Sequence, residues 1–274
     1  RLMLKKNTFK PWTIPIALLG SVILGFGLLI GGMGFYQDDW YLVWMGRYYG
    51  PQIYIDFFAG SRPFLAGIYM LTTQLIGDQP LAWQVFGLLT RWLAVLAAWW
   101  ALKALWPDRL KEITWIAILL ALYPGFKQHF VSVVYSNTYI ALAAFFFSLG
   151  GMLLAIRQPN RRWLWTLLGL LAAVFNLVTT EYFFGMELFR PVFLWTVLTE
   201  QGLAWQKRLR AAFLHWAPYL LAMGAFLVWR LFFFTSYMYE NKLLDNLTTN
   251  PQEIGASLFL TLVQDAFETS LFAW

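Results

Sequence analysis

Two adjacent carboxylates, Asp38 and Asp39, follow directly on an uncharged stretch that runs from residue 12 to residue 36. An aspartate carried into hydrocarbon costs roughly 2.5 to 3.5 kcal/mol on insertion scales, so acids placed here must be hydrated, must cap a helix, or must be used. Further polar residues follow other apolar stretches. These are Arg62 in GSRPF, Lys127 and His129 in YPGFKQHFVSVVYSN with Tyr135 and Asn137 close behind, and Glu181 in TTEYFFGMELFRP. The set suits transfer of a sugar from a lipid phosphate to a hydroxyl. That reaction needs a carboxylate to accept the hydroxyl proton and cations to stabilise the departing phosphate. Asp38 or Asp39 is the candidate base, with Arg62, Lys127 and His129 near the phosphate. Tyr135, Asn137 and Glu181 would position donor or acceptor. Because like charges raise one pKa of a pair, one of the two aspartates is open to a structural role.

Each residue also has a plainer reading. Asp38 can simply cap a helix starting at Trp40, and Arg62 and Lys127 can anchor in the headgroup layer. His129 has no second histidine near it in sequence, so a divalent metal finds little support and no cofactor is expected. Glu187 and Arg190 stand three apart and can pair on one helix. Arg91, inside an apolar run, demands a buried partner that the sequence does not name.

The elements that must hold these residues are helices in a bilayer. The chain is 60% hydrophobic and only 12% charged, and 16 Trp and 13 Tyr fit the two interfaces of a membrane. The net charge of +6 sits in short clusters beside apolar runs, which argues for positive-inside topology and against nucleic acid as a partner. With no cysteine, disulfides, thiolate catalysis and thiolate metal sites are excluded. The first apolar run is too long, and lacks the cleavage site, to be a removable signal.

Candidate spans are 12–36, 63–77, 82–106, 113–125, 133–156, 163–180, 183–199 and 212–235, giving an all-α polytopic bundle of about eight spans. The basic segments RLMLKKNTFK, RQPNRR (157–162) and QKRLR (206–210) should be cytoplasmic. Residues 35–62 then form a first external loop, with WYLVWMGRYY as a helix along the membrane surface, and 236–254 form another. Parity fails between residues 60 and 112, where 63–77 is the weakest crossing. Gln264, Asp265 and Glu268 share one face of a last helical segment. Residues 1–274 read as a single transmembrane domain, and the missing initial Met and the helical ending SLFAW suggest a piece of a longer protein. Asn246-Leu247-Thr248 matches a glycosylation sequon, a pattern common by chance.

YQDDWYLVW, GSRPFLAG, YPGFKQHFVSVVYSNTYIAL and TTEYFFGMELFRP, in that order, make the chain resemble the GT-C glycosyltransferases. Within that superfamily it is most similar to the protein O-mannosyltransferase and aminoarabinose-transferase branch. The resemblance implies a polyprenyl-phosphate sugar donor, a hydroxyl acceptor, inversion, and a catalytic acid in the first external loop at Asp38 or Asp39. It also implies an integral protein of a bacterial or archaeal plasma membrane, among membrane lipids, with its site facing outward. The chain departs from the pattern in having Asp as second acid where the mannosyltransferases favour Glu, and Arg before Pro where others have Lys. A transporter or lipid-linked-sugar flippase is the first rival, marked by ionisable residues deep in several spans. A non-catalytic scaffold, with scattered polar residues, is the second.

Overall fold

A computed structural model describes residues 12–235 and 251–273, and every regular element among them is helical. In chain order the α-helices are α1 (Thr13–Val22), α2 (Asp38–Tyr49), α3 (Ile53–Ala59), α4 (Leu65–Ile76), α5 (Pro80–Leu105) and α6 (Leu110–Leu122). They continue as α7 (Ser132–Arg157), α8 (Arg162–Thr179), α9 (Arg190–Glu200), α10 (Trp205–Val228) and α11 (Pro251–Phe267). Residues 1–11, residues 236–250 with the sequon, and Trp274 lie outside the described residues, and the end of the expected 236–254 loop is already helix from Pro251.

Of the expected bundle of about eight spans, the all-helical class is observed, with fewer helices of full membrane-crossing length. Among the described residues four helices are long and apolar enough to cross a membrane: Pro80–Leu105, Ser132–Arg157, Pro159–Thr179 and Trp205–Phe233. At 1.5 Å per residue, helices of 26 residues such as α5 and α7 reach about 39 Å, against roughly 30 Å of hydrocarbon. The first run falls short because its glycines break it. After α1 a π turn reaches Gly27, one 3-10 turn covers Ile30–Gly32, and the backbone is extended at Met33. The 183–199 run is split, since Glu181–Phe189 is 3-10 and α9 starts afresh at Arg190 with Pro191 in its first turn.

α5 and α7 run side by side in the same direction and form the centre. A Cβ on Gly87 would lie 3.6 Å from Ser132, Arg91 meets Tyr139, and Arg157 Nη2 donates to Leu105 O (2.6 Å). α6 returns between their ends, with Trp99 Nε1 donating to Thr114 Oγ1 (3.3 Å) and Arg91 to Ala121 O. α8 crosses α7 at very close range. A Cβ on Gly151 would lie 3.1 Å from Trp165 O and 3.2 Å from Gly169 Cα, so a larger residue would press the two backbones apart by a few tenths of an ångström. α9 and α10 close the far side through Leu194, Val197, Leu198, Ala212 and Tyr219.

α2, α3 and α4 sit together at the pole where α5 and α7 begin. Phe35, Leu42, Tyr54, Leu65, Tyr69, Trp83 and Val133 make one apolar cluster there. Tyr54 Oη donates to Leu42 O (2.8 Å), and Trp83 Nε1 donates to Gly77 O (2.8 Å), which ties the end of α4 to the first turn of α5. The segment 63–77 therefore stays at one pole. At 12 residues, about 18 Å, α4 is also too short to cross. This removes the parity failure, because Arg109 and Lys111 now fall at the opposite pole with Arg157, Arg161, Arg162 and the start of α10. The basic segments that lie among the described residues, 157–162 and 206–210, gather at one pole and Asp38, Asp39 and Glu181 at the other.

Two arginines are fully enclosed among the described residues. Arg190 forks onto Glu187 (Nε–Oε2 2.5 Å, Nη2–Oε1 2.8 Å) and also donates to Ser148 Oγ (2.9 Å). Arg91 has no acid. Its donors go to the carbonyls of Ala121 and Tyr123 at the end of α6 and to Tyr139 Oη, and its plane lies 3.5 Å from the centre of the Phe26 ring. The buried partner expected for Arg91 is a helix C-terminus. In α11 and the turn after it, Gln264 Nε2 donates to Glu268 Oε1 (2.9 Å), so those two polar residues do share a face.

Candidate functional site

The site begins at a strained turn. Gln37 holds φ 47°, the sole positive φ outside glycine among the described residues, and the chain reverses there into α2. Such a conformation costs of order 1–3 kcal/mol and persists when the surroundings fix it. They do so here, because Gln84, buried on α5, donates Nε2 to Gly34 O (3.2 Å) and to Phe130 O (2.9 Å). One amide thus joins the end of the first apolar run to the loop before α7.

The turn sends the two aspartates in different directions. Asp39 is wholly buried, and its Oδ1 accepts the backbone N–H groups of Val133 (3.0 Å) and Val134 (3.2 Å), with Ser132 Oγ 3.5 Å from Oδ2. It caps α7 from another segment, satisfying N–H groups that a helix start leaves without partners. Burial pushes its carboxyl up to about 6, against the hydrogen bonds from Val134, Val133 and Ser132 that favour the ionised form. Asp38 is exposed and faces a cleft. It does not cap a helix starting at Trp40. α2 starts at Asp38 itself, and no side chain caps it.

That cleft has a volume of about 430 Å³ and is walled by α2, the α3–α4 turn, the first turns of α7 and the end of α8. Arg62 lines it from the α3–α4 turn, where its N–H donates to Phe58 O and its carbonyl accepts from Leu65 N–H. Its guanidinium forks onto Glu181 (Nε–Oε2 3.0 Å, Nη2–Oε1 3.2 Å) and lies 5.0 Å from the Tyr182 ring centre. Glu181 is delivered by the extended Thr180, which stops α8 and whose hydroxyl accepts Tyr182 N–H. Burial raises the Glu181 carboxyl, but the hydrogen bond and charge of Arg62 and the charge of Arg230 outweigh it, so its pKa is lowered overall.

Arg230 is the residue that sequence reasoning missed. From the π turn closing α10 it donates Nη1 to Ser61 O (2.7 Å), with Nη2 3.6 Å from Glu181 Oε1. Its signal was a lone cation inside LVWRLFFF. Two guanidiniums around one carboxylate leave a net positive charge beside the exposed Asp38. The inner wall carries Asn137, almost fully buried, whose Nδ2 is tied to Val133 O (3.0 Å) and whose Oδ1 has no hydrogen-bond partner.

The structure brings together Asp38, Arg62, Asn137 and Glu181, but not the other expected residues. Lys127 is exposed on the 124–131 loop and does not line the cleft. Tyr135 turns its hydroxyl onto Gln128 instead. His129 packs edge-on against Phe26, 4.4 Å between ring centres, and burial together with the nearby Arg91 charge lowers its pKa. Among the described residues no group of three His, Cys, Asp or Glu could hold a metal ion. Compared with protein-family models, with curated proteins and with solved structures, the chain matches none.

Proposed function

We propose that the chain is the catalytic membrane part of a GT-C type glycosyltransferase that moves a sugar from a polyprenyl phosphate to a hydroxyl acceptor on the extracytoplasmic side. One observation carries this reading: the exposed carboxylate of Asp38 and the guanidinium of Arg62, drawn from segments far apart in sequence, share one cleft, and a second guanidinium, Arg230, lies against the same Glu181 that holds Arg62. In the proposed step the acceptor oxygen attacks the anomeric carbon and the bond from that carbon to the phosphate oxygen breaks. Polyprenyl phosphate leaves, and the hydroxyl proton passes to Asp38. The displacement inverts the anomeric centre. Arg62 and Arg230 meet the charge on the departing phosphate. Glu181 holds both guanidiniums in register, and Asn137 stiffens the inner wall through its bond to Val133 O. Asp39 acts as a positioning residue, fixing the start of α7 under the cleft.

The sidedness rests on the gathering of basic segments at the opposite pole, where positive-inside bias favours the cytoplasm. The transporter reading draws less support. Arg91, Glu187 and Arg190 are deep, yet each is bonded locally and none lines the cleft.

The test is transfer of labelled sugar from a panel of polyprenyl-phosphate hexoses and aminopentoses by the full-length protein in proteoliposomes. Asp38→Asn should lower transfer by about 100-fold or more, the scale of general-base loss. Asp39→Asn should retain transfer in proportion to the folded protein recovered. Wild-type rates in Asp38→Asn would remove the mechanism.

A further inference from the structure

At the basic pole, α1, α5 and α6 leave a groove of about 380 Å³ on the outer wall of the bundle. Its walls are apolar, built from Ile14, Trp99, Trp115 and Ile118, and its rim carries Lys103 and Lys111. Trp99 is buried and its ring is fixed by the hydrogen bond from Nε1 to Thr114 Oγ1 (3.3 Å); Lys103 Nζ lies 5.3 Å from the ring centre. Both lysines are exposed, and no acid lines the groove even though Asp108 and Glu112 are neighbours in sequence. Trp115 is also largely exposed on this wall, which is apolar surface of the kind that faces acyl chains. The groove therefore changes from cationic to apolar along its length, in the order that a phospholipid changes from headgroup to chain.

We propose that this groove binds an anionic glycerophospholipid, with its phosphate between Lys103 and Lys111 and one acyl chain along Ile14, Trp115 and Ile118. The charge selects the class. A zwitterionic lipid would set its own ammonium against two lysines, whereas a lipid with net negative charge offsets part of their charge without adding a cation. The lysine stems lie along apolar surface while their ammonium groups reach the headgroup layer. The lipid would fasten α1 to α5 and α6 at the pole opposite the cleft, so the proposal stands apart from any chemistry performed there.

The test uses the full-length protein in detergent, titrated with phosphatidylglycerol or phosphatidylcholine of matched chains and read by native mass spectrometry. Retention of phosphatidylglycerol should exceed that of phosphatidylcholine by at least about fivefold, the ratio expected from one lysine near an anionic headgroup. The double variant Lys103→Ala/Lys111→Ala should abolish the preference, and Lys207→Ala/Arg210→Ala at the same pole should keep it. Ala17→Trp fills the groove without touching either lysine and should lower phosphatidylglycerol retention to the phosphatidylcholine level. Equal retention by the wild-type chain, or an undiminished preference in the double-alanine variant, would overturn the proposal. So would a preference appearing only after removal of residues 1–11, which would make that segment the occupant.

Discussion

Two of the arginine–glutamate clusters among the described residues are built from the same side chains and put to opposite ends. Arg190 and Glu187 sit on one turn, 0% and 1% exposed, with Ser148 and the Tyr219 ring completing the shell. Arg62, Glu181 and Arg230 come from three segments and remain 22%, 40% and 24% exposed beside a cleft. The first cluster has no room for a ligand, so its worth is structural. In the second, water and any ligand reach the same atoms that hold the cluster together. Local spacing makes a closed pair and long-range convergence makes an open one.

The contrast can be broken first at the closed pair. Glu187→Ala leaves Arg190 buried without its anion and should cost roughly 3–5 kcal/mol, seen as a large fall in melting temperature in detergent. Replacing both, as Glu187→Leu with Arg190→Met, should recover most of that loss. Asp39→Ala removes the cap of α7 and should cost about 1–2 kcal/mol by the same measurement. At the open cluster, Arg62→Ala or Arg230→Ala should change stability by less than about 1 kcal/mol, while transfer or donor binding falls sharply. A melting loss from Arg62→Ala as large as that from Glu187→Ala would erase the distinction between the clusters.

The smallest effects are in pH dependence, and they have opposite signs. Burial raises Asp39 from 3.8 to about 6 in the folded protein. Folding then takes up a proton between those values, so its contribution to stability is full at low pH and is lost as pH rises toward 6. Glu181 is lowered, so its contribution is present above 4.5 and lost as pH falls through the folded value. Melting curves across pH 3 to 7 should lose the first slope in Asp39→Asn and the second in Glu181→Gln.

What could be read from the sequence follows the same division. The acid pair, the Glu187–Arg190 spacing and the helical class are local patterns and were visible in advance. Which aspartate faces the cleft was not, because Asp39 is claimed by backbone N–H groups 94 and 95 residues away. The partner of Arg91 was hidden because backbone carbonyls leave no mark in a sequence. Lys127, His129 and Tyr135 were grouped with the site by nearness to Asn137, but only the inward side of the first turns of α7 reaches the cleft. Hydropathy gives apolar runs but does not register the glycines that interrupt the first of them, the restart at Arg190 and Pro191, or a helix such as α4 that stays at one pole.

The central claim is that the cleft and the basic pole open to opposite sides of the membrane, and the absence of native cysteine makes that directly measurable. Single-cysteine variants Asp38→Cys and Lys103→Cys would be treated in intact cells with a membrane-impermeant maleimide. Asp38→Cys should label at once and Lys103→Cys only after permeabilisation; labelling of both from the same side would contradict the account.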